Sequence, residues 1–184
     1  MPLYQEIMNM ITKKYAYMAV QGPKGQLSSP GNLTGIQVKV NNHYHLVSIV
    51  TMIAPSPDWF VGIHDKDFCD SNSGMWLENP SYDLLLWDSG TDDGTTFKSP
   101  NAKTDPAVNI FQITKDTPNT PFMGVNPIPT LAVMKFKKVS EEMMMMTTQA
   151  PTTGEYEMTT TSKASGLTMT HVTLVLTLIG CLIA

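Results

Sequence analysis

Arginine is absent from this sequence: all twelve basic residues are lysines, set against sixteen acids for a formal net charge of −4. With neither a basic stripe nor guanidinium groups, nucleic acid is not expected as a partner. Cysteine is nearly as scarce, since Cys69 and Cys181 are the only two. Hydrophobic burial must therefore hold the fold, and 184 residues at 42% hydrophobic suffice for one modest domain plus a tail. Long apolar runs are missing as well. The N-terminus, MPLYQEIMNMITKKYAYM, has no uninterrupted apolar h-region and no clear cleavage site. The last stretch, VTLVLTLIGCLIA at 172–184, is thirteen residues, short of the roughly 20 that a bilayer-spanning helix needs.

What is present changes character along the chain. Tyr4, Ile7, Met8, Ile11 and Tyr15 recur at helical spacing, which predicts a short N-terminal helix packed on the domain. Ile36, Val38 and Val40 alternate with Gln37 and Lys39, the period of a half-buried strand. HLVSIVTMIA, 45–54, is apolar on both faces and suits a central strand, stopped by Pro55 and Pro57. Further strands are expected at 58–63, 82–87, 108–113 and 130–139, with long polar loops between several of them. Antiparallel strands with long loops and one helix argue for an all-β sandwich.

Past Val139 the composition shifts. TTQAPTTGEYEMTTTSKAS, 147–165, has little to bury and is expected to stay extended and solvated, as an O-glycosylated stalk or a plain linker. Small residues at Ser162, Ala164, Ser165 and Gly166, then a polar spacer and the apolar tail, fit a glycolipid-anchor signal. A membrane span is the second reading of 172–184, and a buried C-terminal strand the third. The tail implies export while the N-terminus shows no leader, so a missing upstream segment is expected. The organisation expected is 1–35 helix and loop, 36–139 sandwich, 140–171 stalk and 172–184 disordered hydrophobic tail.

The chemistry concentrates in LLLWDSGTDDG, 84–94, which runs from core directly into carboxylates. Taken alone, these acids suit a solvated turn as readily as a site. DSGT matches the aspartic-protease signature, but that mechanism needs a second copy or a symmetric dimer, and no second DSG or DTG exists. An EF-hand fails, because loop positions six and twelve from Asp88 are Asp93 and Ser99. His43, His45 and His64 lack the cysteine spacing of a zinc site and are expected on the surface or packed on strands. No nucleophile sits in a recognisable catalytic setting, so no enzyme is expected. Asn32-Leu33-Thr34 is the only sequon, a glycosylation candidate in a Pro- and Gly-rich loop.

Several separated stretches occur together in order: PSPDWFVGI, Cys69, LLLWDSGTDDGTTFKSPN, NIFQIT and TPFMGV. In this the region from about Ile36 to Val139 resembles the spondin domain family of F-spondin and mindin. The resemblance implies a C2-like β-sandwich from extracellular matrix and cell-surface proteins, with Ca2+ held by aspartates at one end. Carried onto this chain, the metal ligands fall on Asp58, Asp88 and Asp92, with Trp59 and Trp87 anchoring the strand ends beneath the ion. Calcium's need for six to eight oxygens fits carboxylates from separate loops. Asp65, Asp67, Asp70 and Asp93 match no ligand position and are read as solvated charges. The resemblance further implies a non-enzymatic adhesion domain at the cell surface, with matrix components, receptors or microbial surface molecules as partners. A calcium-dependent C2-like membrane-binding module is the alternative, and an aspartic hydrolase a distant third. Two departures stand out. Ser73 occupies the place of the family's second cysteine, and the 35 residues before IQVKV are too few for the strands that usually precede it.

Overall fold

The computed structural model describes residues 2–21, 26–28, 31–142, 153–162 and 168–177. Helix α1 (Pro2–Thr12) opens the chain. Lys14, in the left-handed region at φ 59°, ends it, and the Tyr15 N–H closes back on the Met10 carbonyl at 2.8 Å. Ile7 is the turn's buried anchor, 2% exposed. Thirteen strands follow among the described residues: β1 (Ala16–Gln21), β2 (Gln26–Ser28), β3 (Gly31–Asn41), β4 (Leu46–Ala54), β5 (Trp59–Asp67), β6 (Cys69–Asp70) and β7 (Met75–Trp76), then β8 (Ser81–Asp83), β9 (Leu85–Asp88), β10 (Phe111–Gln112), β11 (Ala132–Glu142), β12 (Thr153–Ser162) and β13 (Thr168–Thr177).

The pairings are antiparallel. One sheet has the order β1-β13-β4-β5-β9-β10 with β2 also on β13; the second has the order β3-β12-β11-β8; β6 and β7 form a small ribbon. The two main sheets share one core. Val38 and Val40 of β3, Met134 and Phe136 of β11 and Tyr156 and Met158 of β12 meet Ile49 and Ile53 of β4 and Trp59 and Val61 of β5. Phe68, just past β5, packs edge-on against both Phe136 and Tyr156, ring centres 4.7 Å away in each case. The all-β sandwich reading thus holds, and its strand arithmetic is visible in the burial. Ile36, Val38 and Val40 are buried while Gln37 and Lys39 are exposed, and β4 is a central strand with one fully buried face, Val47, Ile49, Thr51 and Ile53.

Several expectations differ from the structure. The 82–87 stretch is two strands, because Leu84 turns into the core between β8, which pairs with β11, and β9, which pairs with β5. The sandwich also does not end near Val139. Within the expected stalk, Thr153–Ser162 is β12, inserted between β3 and β11 with Tyr156 and Met158 buried. The start of the expected tail lies within β13, which pairs with β4 over Thr168–Thr177. Over 172–177 the structure has a strand, the form ranked third for the tail. Threonine is a good strand former, and alternation of Tyr156 and Met158 supplies the inward face that composition alone obscured. Residues 178–184, with Cys181, and 143–152 lie outside the described residues. No described helix is long and apolar enough to cross a membrane. Asn32 lies on β3 opposite Thr161 rather than in a loop.

Candidate metal centre

Asp58 stands in the turn between β4 and β5, where the Ser56 hydroxyl accepts the Trp59 N–H at 3.0 Å. Asp88 is the last residue of β9, the strand hydrogen-bonded to β5, and Trp59 lies directly opposite it in register. Adjacent strand ends therefore deliver the first two acids to one place. The third arrives through the following loop. Gly90, at φ +73°, bends the chain so that a Cβ there would lie 2.4 Å from the Val108 carbonyl oxygen, a position only glycine tolerates. The loop is then laced to the returning chain by Asp93 N–H to Ala102 O (2.8 Å), Thr104 N–H to Thr91 O (3.0 Å) and Val108 N–H to Gly90 O (2.9 Å).

All three carboxylates are buried: Asp58 is 3% exposed, Asp88 7% and Asp92 9%. Asp58 Oδ2 accepts the backbone N–H groups of Thr91 (3.0 Å) and Asp92 (2.9 Å), with the Ser89 and Thr91 hydroxyls each at 3.3 Å. Asp88 Oδ2 accepts the Trp59 indole N–H at 2.9 Å, and its Oδ1 the Gly90 N–H at 2.7 Å. Asp92 takes the Gly94 N–H on Oδ1 (2.9 Å) and the Ala102 N–H on Oδ2 (2.6 Å). The remaining oxygen, Asp58 Oδ1, is buried and has no partner. Burial raises the Asp88 pKa above the ordinary carboxylate value and the neighbouring Asp58 charge adds to this, against the Gly90 and Trp59 N–H groups that lower it.

The structure thus places all three sequence-predicted acids in one hydrogen-bonded loop system, and brings Asp58 and Asp88 into direct electrostatic contact. Among the described residues no three His, Cys, Asp or Glu side chains converge tightly enough to enclose an ion on their own. Any cation held here would draw on the Asp58 and Asp88 carboxylates together with carbonyls, hydroxyls and water. That donor set is all hard oxygen, as calcium requires, and a buried, unpartnered carboxylate oxygen is the kind of atom a cation satisfies. The residues fit the ion on this test. No described lysine or histidine forms an ion pair with any of the three acids.

Trp59, fully buried, lies beneath the acids, its ring edge-on to Phe97 at 5.0 Å. Trp87 does not share that role. Strand alternation turns it to the opposite face of the sheet from Leu86 and Asp88, where it stacks on Phe60 and donates to the Gly62 carbonyl at 3.3 Å. A cleft of about 180 Å3 opens beside the acids, lined among others by Trp59, Asp88, Asp92, Asp93, Val108 and Phe111. Asp93, read as a solvated charge, accepts the Thr104 hydroxyl at 2.6 Å and lines this cleft.

At the far end of β5 a second polar cluster was not legible in sequence. His45, 5% exposed, holds Asp67 Oδ1 through Nδ1 at 2.6 Å, and the same oxygen accepts the Cys69 N–H at 2.7 Å. Asp67 is therefore paired rather than simply solvated. His64 meets Asp65 on the surface and His43 lies in a turn, so the histidines do not converge. Cys69 is buried, and Ser73 lies in the turn joining β6 to β7.

Comparison with known proteins agrees with this architecture. A family model described as Spondin_N matches residues 2–125, so the likeness begins at α1 and β1, well before Ile36. Among similar proteins are Spondin-1 of Gallus gallus, 38% identical over 118 residues, covering 64% of this chain and 14% of that protein, and Spondin-2 of Homo sapiens, 43% identical over 88 residues, 48% of this chain and 26% of that protein. Spondin-1 of Xenopus laevis is 32% identical over 142 residues, 74% of this chain and 17% of that protein. The chain thus spans well under half the length of these relatives. With two thirds of its length matched by the family model, this chain belongs to the spondin N-terminal domain family.

Proposed function

We propose that this chain is a non-enzymatic, calcium-binding recognition domain of the extracellular spondin type. The observation that carries the calcium reading is the buried, unpartnered Asp58 Oδ1 beside Asp88, in a loop system with no countercharge from the described residues. The bound ion would neutralise Asp58 and Asp88 and fix strand ends β4–β5 and β9 to the 89–108 loop. The chain's own residues orient those acids: Trp59 and Gly90 through N–H donors to Asp88, Thr91 and Asp92 through N–H donors to Asp58. The recognition surface would be the loop end that this ion rigidifies, and its partner an extracellular matrix component or cell-surface receptor.

An aspartic hydrolase would also use two close carboxylates, but that chemistry needs a second DSG or DTG copy or a symmetric dimer, and the sequence has one DSG and no DTG. The membrane-module alternative draws support from Val108, Ile110 and Phe111, exposed near the acids. It ranks lower because the loop beside the acids is acidic, with Asp92, Asp93 and Asp105 against Lys98 and Lys103, and Lys103 pairs with Asp105. Tethering at the cell surface through 172–184 would need β13 to leave the sheet and uncover the facing edge of β4. Release of the chain from cells by phospholipase C supports that tether, and free secretion into the medium contradicts it. Isothermal calorimetry on the purified full chain tests the central reading: calcium binding is expected in the wild type and absent in an Asp88→Ala, Asp92→Ala double variant. Equal heats from both would overturn it.

A further inference from the structure

Strand β10 is the outer strand of its sheet, and the chain leading into it is exposed throughout. Ile113 N–H donates to Leu86 O at 2.9 Å and Phe111 lies opposite Asp88. Alternation along the antiparallel pair then turns the N–H and C=O groups of Gln112 outward, away from β9, and Ile110, the residue before the strand, makes no backbone hydrogen bond to another loop among the described residues. Between Pro106 and Ile113 the sequence AVNIFQ carries no charge. Its large side chains stand in water: Val108 is 55% exposed, Ile110 61% and Phe111 39%. Proteins usually blunt such an edge with charge, proline or a cover; here Asp105, Pro106 and Lys115 flank it and leave the middle bare. Val108 and Phe111 also line the cleft that Asp88, Asp92 and Asp93 line.

We propose that this edge takes an extended segment of a partner protein, added as a further strand on Ala107–Gln112, with a lysine or arginine side chain reaching into the acidic cleft. The backbone supplies the pairing, the exposed Val108 and Ile110 the apolar contact, and the carboxylates the choice of a basic residue. A second copy of this chain is disfavoured, because pairing edge to edge would bring two acidic clefts of a −4 chain together. A lipid surface is disfavoured too, since acyl chains leave outward N–H and C=O groups unsatisfied. This partner assignment rests on the recognition reading above, but not on calcium occupancy.

The test uses the full chain with a short fluorescein-labelled peptide of alternating threonine and valine bearing one central lysine, and a counterpart with glutamate at that place. Fluorescence anisotropy should show the lysine peptide binding at least about tenfold more tightly than the glutamate one. Ile110→Pro, which removes an N–H from the proposed edge, and Ile110→Lys, which changes only an exposed side chain, should each abolish binding while far-UV circular dichroism is unchanged. No binding, equal binding of both peptides, or undiminished binding by both variants overturns the proposal. So does concentration-dependent dimerisation that Ile110→Pro removes, or sedimentation with phosphatidylserine vesicles that Ile110→Lys prevents. Calorimetric calcium titration of the same samples separates the two readings: peptide binding without calcium binding sinks the metal centre alone, and the reverse sinks the strand-docking edge alone.

Discussion

Strand β5 has a carboxylate at each end, and the two are treated in opposite ways. At its last residue Asp67 meets the His45 imidazole at 2.6 Å and the Cys69 N–H, and 42% of its side chain still reaches water. Just before its first residue Asp58 is buried beside two further buried acids, with backbone, hydroxyl and indole donors but no described cation. In the first cluster the carboxylate has a side-chain partner within the protein, although the buried His45 Nε2 has none. The second is short of positive charge, and burial makes that shortage costly, because a desolvated carboxylate needs a countercharge as well as hydrogen bonds. On the proposed reading that difference separates a site for an ion from a structural polar cluster, since acids occur in both.

The contrast can be broken most severely at the acid end. Replacing Asp58 by Ala removes the acceptor for Thr91 and Asp92 N–H, and calcium affinity should fall on the order of a hundredfold or more in calorimetry. Next in size is Gly90→Ala: its positive φ and the 2.4 Å approach to Val108 O should cost about 1–3 kcal/mol in urea unfolding and weaken calcium binding with it. At the other end, His45→Ala should also cost about 1–3 kcal/mol, by stripping Asp67 of its partner, yet leave the calcium isotherm unchanged. A loss of calcium binding in that variant would erase the distinction between the two clusters.

The smallest effect concerns pH. Burial first, and then Asp58, raise the Asp88 pKa, so the calcium-free folded chain holds that proton more tightly than the unfolded one. The resulting stability is fully present below the ordinary carboxylate pKa and is lost as pH rises through the raised value. In chelator, this group should make thermal stability increase as the solution is acidified from neutral toward the ordinary carboxylate range. Saturating calcium should diminish or invert that trend, since it favours the ionised form.

Much of this was readable in the residues. The alternation at 36–40, the apolar run at 46–54 ending at proline, and the abrupt step from Leu86 to Asp88 report burial directly, and the structure repeats them. The motif order around Asp58, Asp88 and Asp92 located the acids, because their convergence depends on the pairing of two adjacent strand ends. Other features are long-range and left no local mark. Tyr156 enters the core from a threonine-rich segment whose composition resembles a solvated stalk, and its hydroxyl reaches the Leu77 carbonyl across 79 positions. His45 and Asp67 are 22 residues apart, with no spacing rule to connect them. Trp87 was misplaced for a local reason that was available: it alternates with Asp88, so it belongs to the other face.

The sharpest measurement compares thermal unfolding of the wild type and Asp58→Asn, each in chelator and in saturating calcium. Asparagine keeps one oxygen for the Thr91 and Asp92 N–H groups and sets an amide where Asp58 Oδ1 has no partner, removing the charge beside Asp88. The account predicts that Asp58→Asn is more stable than wild type by roughly 1–2 kcal/mol in chelator and indifferent to calcium, whereas the wild type gains stability when calcium is added. A wild type that calcium leaves unchanged, or an Asp58→Asn variant stabilised by calcium as much as the wild type, would contradict it.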